Sequence, residues 1–226
     1  THMHMFSNPE SLLEGKVPLT ANDLLENLKP EKWPFHLTEL PLGTALVGGA
    51  IRDGLLNIHN SRKDLDFVVP NNATEFTQKL ADKVGGRVVH LDIERDVARL
   101  VKDEWTVDFA SQLGHSLEQD LFRRDFTFNS IALSFGANLE IVDPTGGVSD
   151  LKRKKLVAVH SQNLIDDPLR LLRALRLQAQ YDFSIEKETK SLLISNSALL
   201  PLVAPERIQS ELQMLVEGKW ADKAIN

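Results

Sequence analysis

Residues 46–69 read LVGGAIRDGLLNIHNSRKDLDFVV, and this stretch decides the fold. It opens on an apolar run and turns at Gly48-Gly49. It carries Arg52 and Asp53 just past the turn and closes with Asp64 and Asp66 inside a second apolar run. A glycine turn feeding a helix leaves backbone N–H groups bare enough to approach phosphate oxygens. Side chains two apart on a strand share a face, so Asp64 and Asp66 point the same way. Hard oxygen ligands of that kind suit a divalent cation such as Mg2+, which binds phosphates at the same time. Phosphate turn and carboxylate pair, in that order, point to metal-assisted nucleotidyl transfer. Taken alone, the Asp-Leu-Asp triplet also reads as a solvated strand edge, because polar residues alternate on many half-exposed strands. The glycine turn beside it favours the metal reading.

Working outward, patterning predicts a helix at 21–28 with Thr20 or Asn22 as its cap. It predicts a buried strand at 44–47, a short helix at 50–56 and a strand at 64–69 stopped by Pro70. A helix at 73–84 ends on Gly85-Gly86. Three closely spaced strands at 87–91, 96–101 and 104–109 suit an antiparallel meander. A helix at 117–122 leads into Arg123-Arg124-Asp125, and strands at 131–134 and 139–142 pair across a turn at 136–138. The breaker cluster Asp143-Pro144-Thr145-Gly146-Gly147 marks a domain boundary. Beyond a last short strand at 156–159 come helices at 169–179, 186–195 and 205–217. Asp167-Pro168 starts the first of these, since proline is tolerated in a first helical turn.

The expected organisation is a tag remnant at 1–5, an N-terminal arm at 6–42, a catalytic head at 43–149 and a helical neck at 150–226. The 226 residues are enough for a real core, and 42% hydrophobic and 26% charged residues are ordinary for a globular chain. With no cysteine, disulfides and thiolate zinc sites are excluded, and a reducing cytoplasm is the expected compartment. No apolar run reaches membrane-spanning length, so no membrane partner is expected. The net charge of −6 argues against broad nucleic-acid binding. The basic residues are uneven, however: Lys152, Arg153, Lys154 and Lys155 form one run, and Arg170, Arg173 and Arg176 recur at helical spacing.

Three further groups carry possible chemistry. Asp108, in WTVDFA, is either a third carboxylate for a metal or a base, or an ordinary strand polar residue. Arg124 and Asp125 are either a helix-end ion pair or a phosphate contact and a ribose acceptor. Asp167, Arg170, Arg173 and Arg176, three apart, are expected to share one helix face. That face is either a solvated charged surface or a reader of nucleotide bases. An Asp and an Arg together complement the amino group and ring nitrogen of cytosine or adenine, and the remaining arginines reach phosphates. The seven histidines form no spaced ligand set.

Five ordered stretches resemble one known family, the class II, bacterial-type tRNA nucleotidyltransferases and bacterial poly(A) polymerases. LVGGAIRDGLLN with KDLDFVV resembles its catalytic motif and RRDFTFNSIAL its ribose-selecting motif. DPTGGVSDL resembles the linker between head and neck, DDPLRLLRALR the base-selecting motif, and PERIQSEL the helix motif after it. The resemblance implies an α+β fold, with a polymerase-β-like head on a mixed or antiparallel sheet and then an all-helical neck. It implies Asp64 and Asp66 as catalytic metal ligands for Mg2+. It implies a nucleotide site lined by Gly48, Gly49, Arg52, Asp53, Arg124, Asp125, Asp167, Arg170, Arg173 and Arg176. Its partners would be the tRNA 3′ end, CTP and, for some members, ATP.

Body and tail domains, which grip tRNA in the family, are expected to be absent here. The A-adding members carry a flexible loop between the strand and the RRD motif, and only residues 110–122 lie there in this chain. The expected activity is therefore template-independent addition of CMP, as CC, to tRNA. Full CCA addition, A addition and poly(A) synthesis are its siblings. An inactive RNA-binding module and a small-molecule nucleotidyltransferase are the readings from outside that group.

Overall fold

A computed structural model of the protein describes residues 19–58 and 63–226. The expected tag remnant and the first part of the expected arm lie outside the described residues. The chain forms two compact units. One runs to Leu121 and takes in Ile131–Pro144, and the other comprises Phe122–Ser130 and Thr145–Asn226. The chain therefore crosses between units more than once.

The first unit is built on a seven-stranded sheet. In chain order come helix α1 (Ala21–Leu28), strand β1 (Thr44–Val47), helix α2 (Gly49–Leu55), strand β2 (Asp64–Val69) and helix α3 (Ala73–Val84). Strands β3 (Arg87–Asp92), β4 (Val97–Lys102) and β5 (Trp105–Ser111) follow. Helix α4 (Leu117–Leu121) and strands β6 (Ala132–Phe135) and β7 (Leu139–Val142) complete the unit. The strand order is β3-β4-β5-β2-β1-β6-β7. Every pairing is antiparallel except β2 with β5, which makes the sheet mixed.

Sequence pattern explains the layout. Strand β1 is buried at all four positions because it lies mid-sheet. Strand β2 alternates exposed Asp64 and Asp66 with buried Leu65 and Phe67, and is then buried through Val69. An aromatic cluster fills one face. Phe67 stacks on Phe109 at 5.3 Å, Phe76 meets Phe109 edge-on at 5.0 Å, and Trp33 and Phe35 close over Phe67. The segment expected as a plain arm thus supplies core residues to this unit. Thr20 and Asp23 form a reciprocal cap on α1. Helix α1 approaches α2 so closely that a Cβ on Gly54 would stand 2.9 Å from Leu24 Cδ1.

Helix α3 has no cap from its own N-terminal residue, Asn72. Asp96, from the turn between β3 and β4, supplies one by accepting from Ala73 N at 2.8 Å and Thr74 N at 3.0 Å. The Ser111 hydroxyl also donates to this carboxylate.

The second unit contains helices α5 (Gly147–Lys152), α6 (Ser161–Asp166), α7 (Leu169–Tyr181), α8 (Lys187–Ser195), α9 (Pro205–Val216) and α10 (Ala221–Ile225). It is helical apart from a two-residue parallel ladder of β8 (Lys155–Leu156) and β9 (Ser184–Ile185). The strand expected at 156–159 shrinks to β8 plus an isolated bridge from Ala158 to Phe126. Phe128 stacks on Phe183 at 5.3 Å and on Phe126 at 6.4 Å, tying the RRD segment into this core. Helix α7 packs on α9 and α10 through Leu169, Leu172, Ala179, Val203, Leu215 and Ala224.

Candidate active site

The glycine turn comes first. Gly48 has φ 74° and ψ −146°, a conformation that costs a side-chain-bearing residue about 1–3 kcal/mol. A Cβ there would stand 3.3 Å from Asp66 Oδ2, so the turn and the carboxylate lie close together with little room for a side chain. A Cβ on Gly49 would meet Arg52 Nη2 at 3.1 Å. The Arg52 guanidinium therefore lies directly against the turn. Arg52 is 3% exposed and Asp53 6%, and Arg52 Nε donates to Asp53 Oδ1 at 3.1 Å. Asp53 thus holds the arginine in place from within the unit.

The carboxylates come next. Asp64 and Asp66 are exposed on the same face of β2. Asp108 lies directly across from Asp66 on β5, and Arg99 directly across from Asp108 on β4, so the three form one row over three strands. Arg99 takes both oxygens of Asp108, Nε to Oδ1 at 2.7 Å and Nη2 to Oδ2 at 3.0 Å. The Arg99 pKa is raised, chiefly by the hydrogen bond to Asp108, with the charges of Asp108, Asp66 and Asp64 contributing. Among the described residues no group of three or more His, Asp or Glu is placed to hold a metal ion. The Asp64–Asp66 pair still fits Mg2+, whose sites commonly use one or two carboxylates and fill the remaining positions with water and substrate phosphate.

In the second unit, Asp125 is 4% exposed. Its Oδ1 accepts from Phe126 N at 2.7 Å, and its Oδ2 faces Arg173 Nη2 at 3.2 Å. Burial pushes its pKa up, but the Arg173 charge, the Phe126 N–H and Arg170 outweigh it, and the carboxyl stays below its ordinary value. Asp125 Oδ2 and Arg173 Nε are buried atoms that make no hydrogen bond. Arg170 donates to Asn163 O at 2.7 Å. Burial depresses the Arg170 pKa, Asp125 and Asp167 oppose that, and Arg173 and Arg124 add to it. Arg170 and Arg173 therefore flank one buried carboxylate, and the charge of Arg124 acts on Arg170. Asn163 donates to Phe122 O and Arg124 O, both at 2.8 Å, and so fixes the RRD backbone.

Asp167 precedes α7 and accepts from Leu169 N at 3.3 Å. Arg207 on α9 grips it with two bonds, Nη2 to Oδ2 at 2.9 Å and Nη1 to Oδ1 at 3.3 Å. Arg176 does not join the cluster. It is buried and donates from Nε to Glu211 Oε2 at 2.6 Å and from Nη1 to Gln180 Oε1 at 3.1 Å. Steps of three residues drift about 60° around a helix each time, so the third arginine faces α9 while Arg170 and Arg173 face Asp125.

Arg99, Asn163, Arg207 and Glu211 have no place in the sequence reading. Arg99 carries a signal, being a charge flanked by apolar residues in the middle of VARLVK. Arg207 and Glu211 stand four apart in PERIQSEL, which the sequence marks only as a helix motif. In the structure each crosses to a residue of, or just before, α7.

Residues 44–157 match the family described as the poly A polymerase head domain, and residues 182–226 match one described as a probable RNA and SrmB-binding site of polymerase A. The chain belongs to the class II tRNA nucleotidyltransferase and poly(A) polymerase family. Relatives in that family include a CC-adding tRNA nucleotidyltransferase of Synechocystis, 47% identical over 81% of this chain and 44% of its own length. An A-adding tRNA nucleotidyltransferase of Deinococcus radiodurans is 41% identical over 84% of this chain and 43% of its own. The structure of a Thermotoga maritima CCA-adding enzyme complexed with tRNA superposes with a TM-score of 0.74 at 31% identity, covering 99% of this chain and 53% of that one. A tRNA nucleotidyltransferase complexed with a primer tRNA and an incoming ATP analogue gives 0.70 at 33%, covering 81% and 55%. The chain thus spans about half the length of the family members it matches.

Proposed function

We propose that the protein adds CMP, as CC, to the 3′ end of tRNA without a nucleic-acid template. The observation that carries nucleotidyl transfer is the close approach of the Gly48 turn to Asp66. A glycine turn, the proposed phosphate loop, lies beside Asp66 of the exposed Asp64–Asp66 pair. In the proposed reaction the tRNA 3′-hydroxyl oxygen bonds to the α-phosphorus of CTP. The bond to the β-phosphate bridge breaks, and pyrophosphate leaves.

Gly48 and Gly49 admit the phosphates, and Arg52 supplies positive charge against the turn. Asp64 and Asp66 would hold Mg2+, which when bound neutralises triphosphate charge and lowers the pKa of a bound hydroxyl, in a two-metal arrangement. Asp125, kept ionised by its arginines, accepts from ribose hydroxyls, while Arg124 and Arg173 meet phosphate. Asp167 and Arg170 offer acceptor and donor to the base edge.

The choice of CC rests on residues 112–116, the whole connection between β5 and α4. They are pinned by Asp120 accepting from Leu113 N at 2.8 Å and Gln119 accepting from His115 N at 2.7 Å. A short, tied connection leaves no flexible loop of the kind expected in A-adding members. Among the described residues no helix is long and apolar enough to cross a membrane, and the cytoplasm is the proposed site of action.

The test is a tRNA ending at its discriminator base, incubated with labelled CTP and ATP separately and together. Two CMP additions and no AMP are expected. Efficient AMP addition to tRNA ending in CC would refute CC-only specificity.

A further inference from the structure

The row Arg99–Asp108–Asp66 contains one acid, Asp108, that the two-carboxylate cation site does not use, and one positive charge of its own. Adjacent strands are about 4.8 Å apart, so Asp108 is near enough to Asp66 to repel it or to share a ligand with it. The side chain of Asp108 is 22% exposed and that of Arg99 38%. Both Asp108 oxygens are committed to one guanidinium in the fork geometry, the strongest arrangement an arginine and a carboxylate make. A cation recruiting Asp108 must break two charge-assisted bonds and leave Arg99 without its partner.

We propose that Arg99 is a positioning residue that locks Asp108 out of the divalent-cation site, so that the free protein offers a cation Asp64 and Asp66 alone. The proposal rests on the reading of Asp64 and Asp66 as metal ligands. The lock sets a weak resting affinity by keeping both Asp108 oxygens on the guanidinium. Any ligand that gives the guanidinium another anion, such as a triphosphate, releases Asp108 towards the cation.

The test is Mn2+ binding to the full chain without nucleotide, followed by the electron paramagnetic resonance of free Mn2+. It compares wild type, Asp108→Asn, Arg99→Gln, Arg99→Lys and the double variant Arg99→Gln/Asp108→Asn, with thermal melts confirming that each is folded. Asp108→Asn alone is expected to leave affinity unchanged within twofold. Arg99→Gln is expected to tighten Mn2+ by about tenfold, equivalent to roughly 1.4 kcal/mol, and Arg99→Lys to tighten it by less. The double variant should return to the wild-type value.

Two results would overturn the lock: a tenfold weakening by Asp108→Asn in the wild-type background, or no tightening by Arg99→Gln. If the double variant stayed tight, Arg99 would act through its charge alone and not through Asp108, which also overturns it. Asp64→Asn/Asp66→Asn separates the two readings. If that variant bound Mn2+ as wild type does, the metal-ligand assignment would fail and take the lock with it.

Discussion

Replacing Arg176 with alanine should unfold the second unit more readily and leave nucleotide recognition alone. Arg176 and Glu211 are 2.6 Å apart, with side chains 10% and 9% exposed. At about 4 Å between charge centres and an effective dielectric of about 20, their attraction is roughly 4 kcal/mol, offset in the intact pair by the cost of burying both charges. Truncating one partner removes the attraction and leaves the other charge buried, a loss of about 3–5 kcal/mol. For a chain of this size each kcal/mol lowers the melting temperature by roughly 2–4 °C, so Arg176→Ala should lower it by about 10 °C. Glu211→Ala should do nearly the same. Arg176→Met/Glu211→Leu, which keeps volume and removes both charges, should lose much less than either single change. Thermal melts followed by circular dichroism read the stability, and titration calorimetry with CTP well below the transition reads recognition. CTP affinity is expected to stay within twofold of wild type. If Arg176→Ala melted within a degree of wild type and bound CTP tenfold more weakly, Arg176 would belong to the nucleotide site and the reasoning would fail.

Three further outcomes are expected. Asp96 has its pKa lowered to about 2, since the bonds from Ser111, Thr74 and Ala73 outweigh the upward push of burial. Its contribution, reduced by solvent screening to about 1 kcal/mol, is therefore present above the ordinary value of 3.8 and is lost as pH falls from there through about 2. The stability gap between wild type and Asp96→Asn, from urea melts at pH 2 to 6, should close in that window, and a constant gap would refute the cap. Gly48→Ala should cut CMP incorporation by about a hundredfold, because it strains the turn and crowds Asp66. Arg207→Gln should reduce discrimination of CTP over UTP by about tenfold while CTP still binds, because it loosens Asp167, the carboxylate proposed to read the base; competition incorporation assays measure it.

Much of the head was legible in the chain. Strands β1 and β2 and helix α3 fall at their expected bounds, because apolar runs of strand length and a glycine stop are local signals. The α1 cap is local as well, with Thr20 and Asp23 three residues apart. Helix α5 was hidden inside the breaker cluster. Gly146, at φ +79°, ends the turn, and six residues are too few to show a period. Helix α6, equally short, left no trace. Beyond its expected helix at 21–28 the arm gave no sign of core residues, because Trp33 and Phe35 have no periodic context of their own. Their role appears only where Phe67 and Phe109 arrive beneath them.

The sequence by itself determined the chemistry on offer: glycines at the turn, two acids at strand spacing, and an arginine series behind Asp167. These follow from backbone period and side-chain type, which neighbours in the chain settle. Only the tertiary structure decided how those groups were used. Asp108 had no visible partner until β4 brought Arg99 across from it. Arg176 looked like its neighbours until α9 placed Glu211 against it. Asp96 was only the first residue of an expected strand until α3 began above it. In each case the deciding partner lies on another element, and strand register and helix packing fix its position, not any spacing along the chain.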